Sequence, residues 1–185
     1  CVLEMHHDPM LLKTFADYHC KHVDPKYGNT SVLRRLPFFR DNCNGVFALD
    51  RLPCTVRQFK HGTKKLLYDV NVKNEFSLLI GHYSLHASVR QQQFEEIAQL
   101  VKGRKRAIVC GDFNDFGGSK ELNSLIKHSN LRIVRPAHNQ TFPACHPKKP
   151  LDLFLCSGDI VDVHAEVIKN AHLSDHLPVL LTVTV

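Results

Sequence analysis

Hydrophobic and polar positions change period along this chain, and the change marks its elements. Leu66–Val72 reads Leu-Leu-Tyr-Asp-Val-Asn-Val, close to the alternation of a half-buried strand. Phe76–Gly81 follows across the turn-formers Lys73-Asn74, so the two runs predict a hairpin. Over Val89–Val101 the period becomes helical, with Phe94, Ile97, Ala98 and Val101 in one apolar stripe. Ser88, three residues ahead of Gln91, predicts a capping box, and Gly103 ends the helix. Val46–Leu49, Ala107–Cys110, Leu151–Cys156, Val161–Ile168 and Leu177–Val185 are strand-sized apolar runs. Residues 120–128 predict a second helix, with Ser119 as N-cap and Leu122, Leu125 and Ile126 facing inward. The first quarter is less periodic. Met10, Leu11, Phe15 and Tyr18 approximate helical spacing over 9–23, and the turn-formers within 24–44 predict loop. Paired strands mixed with crossover helices predict an α/β (α+β) architecture, its sheets covered by helices.

Composition narrows the class. The 185 residues are 43% hydrophobic and 23% charged, which predicts one globular domain over 1–185 and excludes a disordered chain. No apolar run approaches the ~20 residues of a membrane span, and the first residues do not resemble a leader. Lys and Arg exceed Asp and Glu by 24 − 18 = 6 charges, in short clusters such as Arg34-Arg35, Lys64-Lys65 and Arg104-Lys105-Arg106. Each cluster alone reads as a solvated loop, whereas the sum suggests a polyanionic partner. The seven cysteines are odd in number and none forms a C-x-x-C, which argues against a zinc knuckle and a closed disulfide framework. A reducing, cytoplasmic setting is the expectation. Cys110 and Cys156 read as buried thiols, and Cys20 beside His22 as a surface pair rather than a metal site.

Ionisable groups that interrupt or directly follow apolar strands are the candidate chemistry, because an unpaired buried charge costs several kcal/mol. Gly111-Asp112-Phe113-Asn114 places a carboxylate and an amide two residues apart at a strand end, on one face of an extended chain. Ser174-Asp175-His176-Leu177-Pro178 sets a carboxylate beside an imidazole just ahead of the last strand. Asp152 lies within Leu151-Asp152-Leu153-Phe154-Leu155, where it can orient a histidine. His82, in Gly81-His82-Tyr83-Ser84, ends a strand and precedes a helix. Each has a bland reading as turn, polar face or loop.

Taken in order, Glu4, His82, the Gly-Asp-Phe-Asn motif, Leu151-Asp152 and the Ser-Asp-His-Leu-Pro motif resemble the endonuclease/exonuclease/phosphatase (DNase I-like) superfamily. His82-Tyr83-Ser84-Leu85 with Arg90–Gln93, and Thr141-Phe142-Pro143 ahead of Asp152, strengthen the likeness and are similar to small bacterial members. The resemblance implies a four-layer sandwich of two face-to-face sheets flanked by helices. It implies His176 as catalytic histidine paired with Asp152, and Asp112 and Asn114 orienting water and phosphate. His82 would bind or protonate phosphate oxygens. Mg²⁺, or Mn²⁺, would be held by Glu4 with help from Asp175. Asn114, His82 and Arg51 would contact substrate.

The chain departs from that family in two ways. Nothing upstream of Glu4 supplies the family's Asn-bearing first strand, so an N-terminally incomplete domain is expected. In Asn44-Gly45…Asp50-Arg51-Leu52-Pro53 the family's Gly-Asn order is reversed, and Asp50 replaces Ser. The reading is a Mg²⁺-dependent phosphoesterase that cleaves phosphodiesters, with nucleic acid as the expected partner and no membrane contact. The alternatives are a sphingomyelinase-like lipid phosphodiesterase, with Leu36-Pro37-Phe38-Phe39 as its one candidate apolar loop, and a non-catalytic binding module of the same fold. The absence of Trp weighs against the lipid reading.

Overall fold

The computed structural model describes residues 1–6, 13–28, 31–118, 120–170 and 174–184. In chain order its strands are β1 (Val2–His6), β2 (Cys20–Pro25), β3 (Asn42–Ala48), β4 (Cys54–Gln58), β5 (Leu66–Val72), β6 (Phe76–His82), β7 (Ala107–Asp112), β8 (Leu131–Val134), β9 (Asp152–Ser157), β10 (Val163–Val167) and β11 (Val179–Val183). The helices are α1 (Pro37–Arg40), α2 (Ala87–Val101) and α3 (Leu122–His128).

A six-stranded sheet in the order β4-β5-β6-β7-β9-β8 forms the spine. Only β6 and β7 run parallel, because α2 is the crossover between them. Both faces of this sheet are apolar, so its central strands read as near-continuous hydrophobic runs. Leu79, Val109, Leu153 and Leu155 point to one face, where Phe94, Ile97, Leu122 and Leu125 of α2 and α3 cover them. Ile80, Ile108, Cys110, Phe154 and Cys156 point to the other, against Val46 of β3 and Ala165 of β10. That second side consists of a three-stranded sheet, β1-β3-β2, and the β10-β11 hairpin. Outside it, Phe15 stacks on Phe47 at 4.1 Å, with Tyr18 edge-on to Phe15. The layers are therefore helix, sheet, sheet and a thin aromatic cover, the expected sandwich.

The hairpin β5-β6 turns at Lys73 and Asn74, both with positive φ. The stripe on α2 is buried as its spacing requires. Its start differs from the expected capping box: His86 is the N-cap and Ser88 lies inside the first turn. Ser119, the expected cap of α3, falls outside the described residues. So do Met10 and Leu11, and the helix expected over 9–23 cannot extend to its end because Cys20–Pro25 is a strand. Residues 24–44 also hold a 3-10 turn (Val32–Arg35), α1 and the start of β3 instead of loop alone. Cys20 is buried, not superficial, and all seven cysteines are free. Among the described residues no helix is long and apolar enough to cross a membrane.

Candidate active site

Strand register builds the centre of the site. His82 of β6 is the cross-strand partner of Asp112 in β7, and Asp112 is the partner of Asp152 in β9. Three polar side chains thus stand in one row at one end of the sheet, with adjacent strands ~4.8 Å apart. Gly111 makes the row possible. At φ +130° and paired with Gly81, it lies so close that a Cβ would sit 1.8 Å from the Gly81 carbonyl oxygen. Beneath the row, Tyr83 and Phe113 stack at 4.7 Å, and the Tyr83 amide donates to the Asp112 carbonyl at 3.0 Å.

Asp112 is buried and bound on both oxygens. The Asn114 amide donates to Oδ1 and its side-chain Nδ2 to Oδ2, each at 2.9 Å. Asn114 holds a left-handed φ of 51° to do so, and its Nδ2 also donates to the Tyr83 carbonyl at 2.9 Å. Its side-chain donors are divided between Asp112 and the Tyr83 carbonyl. Burial pushes the Asp112 carboxyl up, but His82, the charge of His176 and the Asn114 amide outweigh it and hold the group below the ordinary range.

His176 Nδ1 lies 2.7 Å from Asp152 Oδ2. Thr141 positions both partners: its Oγ1 accepts from the Asp152 amide at 3.4 Å, and its carbonyl accepts from the Leu177 amide at 2.8 Å. Burial disfavours the imidazolium. The hydrogen bond to Asp152, with the charges of Asp152, Asp112 and Asp175, overcomes that and raises His176 above its usual value. His82 behaves oppositely. It is almost wholly buried, and desolvation lowers its pKa despite Asp112. Two imidazoles in one pocket are thus driven apart by their surroundings.

Glu4 arrives from the other sheet. A register shift between Val2 and Met5 and a φ of 56° at Glu4 turn its carboxylate out of the β1-β3 ladder, while its amide donates to Asn44 Oδ1 at 3.0 Å. Its Oε1 is 3.4 Å from His82 Nε2, which in turn is 3.2 Å from Asp112 Oδ2. The Lys26 ammonium bonds the same Glu4 oxygen, and Lys64 Nζ is 3.6 Å from it and against His82. Burial pushes the Glu4 carboxyl up, and His82, Lys26 and Lys64 bring it down.

Six of the expected residues therefore converge: Glu4, His82, Asp112, Asn114, Asp152 and His176. Two do not. The Asp175 side chain is exposed and, among the described residues, accepts from the Ser174 hydroxyl; its charge acts on His176. Arg51 is exposed in the loop before β4, beside Pro53, whose carbonyl binds the Asn71 amide. That is the end of β5-β6 opposite His82, ~17 Å away over five residues of strand. The substrate contact expected of Arg51 has no geometric basis here.

The donor set suits a hard cation. One ligand atom from each of Asp112, Asp152 and His176 lies within 4.8 Å of the others, and Glu4 adds a solvent-reachable carboxylate across His82. Lys26 and Lys64 were not expected at the site, and Arg90 and Gln93 belong to the resemblance without a role assigned to them. Gln93, fully buried, donates to the carbonyls of Lys64 and His61 and accepts from the Ser84 amide, so it ties the Lys64 loop to the His82 loop. Arg90 forks onto Glu121 and bonds the Ser84 and Leu85 carbonyls. Their signal is visible in retrospect: two polar residues, three apart, on the buried face of α2.

A family model described as endonuclease-reverse transcriptase matches residues 78–180. Beta toxin from Staphylococcus aureus is 15% identical, with a TM-score of 0.67 over 95% of this chain and 81% of that one. An endonuclease/exonuclease/phosphatase from Bacteroides vulgatus is 15% identical, with a TM-score of 0.68 over 98% and 83%. Truncated Caenorhabditis elegans TDP2 is 10% identical, with a TM-score of 0.67 over 96% and 80%. A beta-toxin mutant, 16% identical with a TM-score of 0.65, was solved with bound magnesium ions. No curated protein sequence matches the chain. At these identities the likeness to solved structures speaks for the fold.

Proposed function

Because the chain belongs to the endonuclease-reverse transcriptase family, within the DNase I-like superfamily of metal-dependent phosphodiesterases, nucleases and phosphatases, we propose that it is a Mg²⁺-dependent phosphodiesterase acting on nucleic acid. The observation that carries this reading is the row His82–Asp112–Asp152 closed by His176 at 2.7 Å from Asp152. Hydrolysis of a phosphodiester needs a water that loses a proton, a shielded phosphoryl charge and a stabilised leaving oxygen.

His176 takes the first task. With Nδ1–H donated to Asp152, the lone pair on Nε2 is left to accept a proton from water, and Asp152 stabilises the imidazolium that results. Asp112, ionised and clamped by Asn114, orients the attacking water and adds negative charge that favours the protonated His176. Asn114 acts as a positioning residue through Asp112. His82, whose pKa burial lowers, holds Nε2 3.2 Å from Asp112 Oδ2 and would bind a phosphoryl oxygen from there. Asp112 and Asp152, whose ligand atoms lie within 4.8 Å of each other, would hold the Mg²⁺, with Glu4 approaching from across His82; when bound, the ion would shield phosphoryl charge and stabilise the leaving oxygen.

The net charge of +6 favours nucleic acid as the substrate. Leu36 and Pro37 are exposed, and Phe39 is half-buried edge-on to Tyr27, so Phe39 is not free to enter a lipid surface. The test is turnover of bis-p-nitrophenyl phosphate, of single- and double-stranded DNA and of sphingomyelin vesicles, with Mg²⁺ and with EDTA. DNA cleavage that EDTA abolishes is expected. Cleavage of sphingomyelin alone would transfer the reading to lipid. No turnover of any of them would leave a binding module.

A further inference from the structure

The Glu4 carboxylate has more positive charge against it than one carboxylate needs. Lys26 Nζ bonds its Oε1, Lys64 Nζ lies 3.6 Å from the same atom, and His82 stands between Lys64 and Asp112. These are not surface lysines that happen to reach inward. Lys26 is 4% exposed, and its amide is fastened to the Asn42 carbonyl at 3.0 Å. The Lys64 side chain is 13% exposed, and Gln93 holds the Lys64 carbonyl at 2.9 Å. Glu4 is the accessible member, with 48% of its side chain open to solvent. An ammonium buried beside a second ammonium is unfavourable unless an anion compensates it. Here Glu4 and Asp112 together balance Lys26 and Lys64, so the four charges sum to zero.

A divalent cation on those carboxylates would break that balance. It would meet two ammonium groups already in place, and on binding would leave a surplus of two positive charges around two largely buried lysines. A phosphoryl group is the ligand that neutralises such a surplus. We infer that Lys26 and Lys64 are resident cations of this site: they hold Glu4 until a divalent cation displaces their ammonium groups, which then serve the substrate phosphate. Metal and phosphate binding are coupled through the two lysines, each tightening the other. The inference rests on the proposed phosphodiesterase reading for the identity of the anion.

Mn²⁺ affinity, read from the free-ion EPR signal, tests it without any need for turnover. Lys64→Met is expected to bind Mn²⁺ at least fivefold more tightly than the wild-type chain in the absence of phosphate. Lys26→Met is expected to behave the same way. In wild type, millimolar inorganic phosphate is expected to tighten Mn²⁺ binding by more than it does in either variant. If Lys26→Met does not fold, by circular dichroism, Lys64→Met decides. Unchanged or weaker Mn²⁺ affinity in the variant, or an undiminished phosphate effect, overturns the inference. A protein that hydrolyses no phosphodiester yet shows the expected Mn²⁺ shift would separate failure of the functional reading from failure of this one.

Discussion

The two halves of the pocket are held by different forces. The half built from β6, β7 and β9 is placed by main-chain register: His82, Asp112 and Asp152 are cross-strand partners, Thr141 Oγ1 accepts from the Asp152 amide, and Asn114 donates to the Asp112 carboxylate. The half built from β1 and the loops after β2 and β4 is placed by charge. Glu4 lies on a bulge and meets Lys26 and Lys64 across the gap between two sheets. A hydrogen-bonded ladder fixes distance to a fraction of an ångström, whereas an ion pair on flexible stems leaves room for exchange of partners. In the proposed mechanism, proton transfer falls to the first half and ligand exchange to the second.

Removing the imidazole that Asp152 holds against the register-held half is expected to have the largest effect. His176→Ala should lower turnover of bis-p-nitrophenyl phosphate by ~10²-fold or more, because that is the usual contribution of a positioned base. Retained activity would remove His176 from the mechanism. Gly111→Ala should cost ~3 kcal/mol or more in urea unfolding, since a Cβ there collides with the Gly81 carbonyl oxygen. A loss below ~1 kcal/mol would show that the β6-β7 pair can open without damage.

Asp152→Asn sharpens the comparison through pH. The raised pKa of His176 means its base form appears only above the ordinary histidine range, so activity should rise with pH through that value. Asp152→Asn removes the hydrogen-bonded charge, so the midpoint should move to lower pH, by NMR titration as well as by rate. For stability the sign is opposite. The His176–Asp152 pair stabilises the fold fully below the unfolded histidine pKa of ~6.5, and that contribution is lost as pH rises through the folded value. In the charge-held half, Glu4→Gln should cost ~1–3 kcal/mol, because it leaves the buried Lys26 ammonium without its counter-charge. No change in urea midpoint would mean that Lys26 finds another anion. Arg51→Ala, at the far end of the sheet, should change turnover by less than ~2-fold, as expected of a surface substitution away from the site.

The legible part of the fold was the part with strong periodicity. The stripe on α2 and the β5-β6 hairpin were visible because both bury a regular face. β4 was not, because Cys-Thr-Val-Arg-Gln is an edge strand exposed along most of its length, with no apolar alternation. β2 contains Lys, His, Asp and Pro and pairs only with β3. The capping box on α2 failed because Ser84, two residues ahead of His86, accepts the His86 amide and the helix begins earlier.

From its sequence alone this protein determined which residues stand at strand ends. A polar group after an apolar run marks the point where a strand leaves the core, and His82 and Asp112 obey that rule, whereas Asp152 opens its strand ahead of the apolar run. Only the tertiary structure decided that these ends share one register, that Arg51 lies at the wrong end, and that two lysines close on Glu4. Periodicity reports which face of an element is buried. The meeting of residues 4, 26, 64 and 112 depends on how two sheets stack, and no local pattern carries that information.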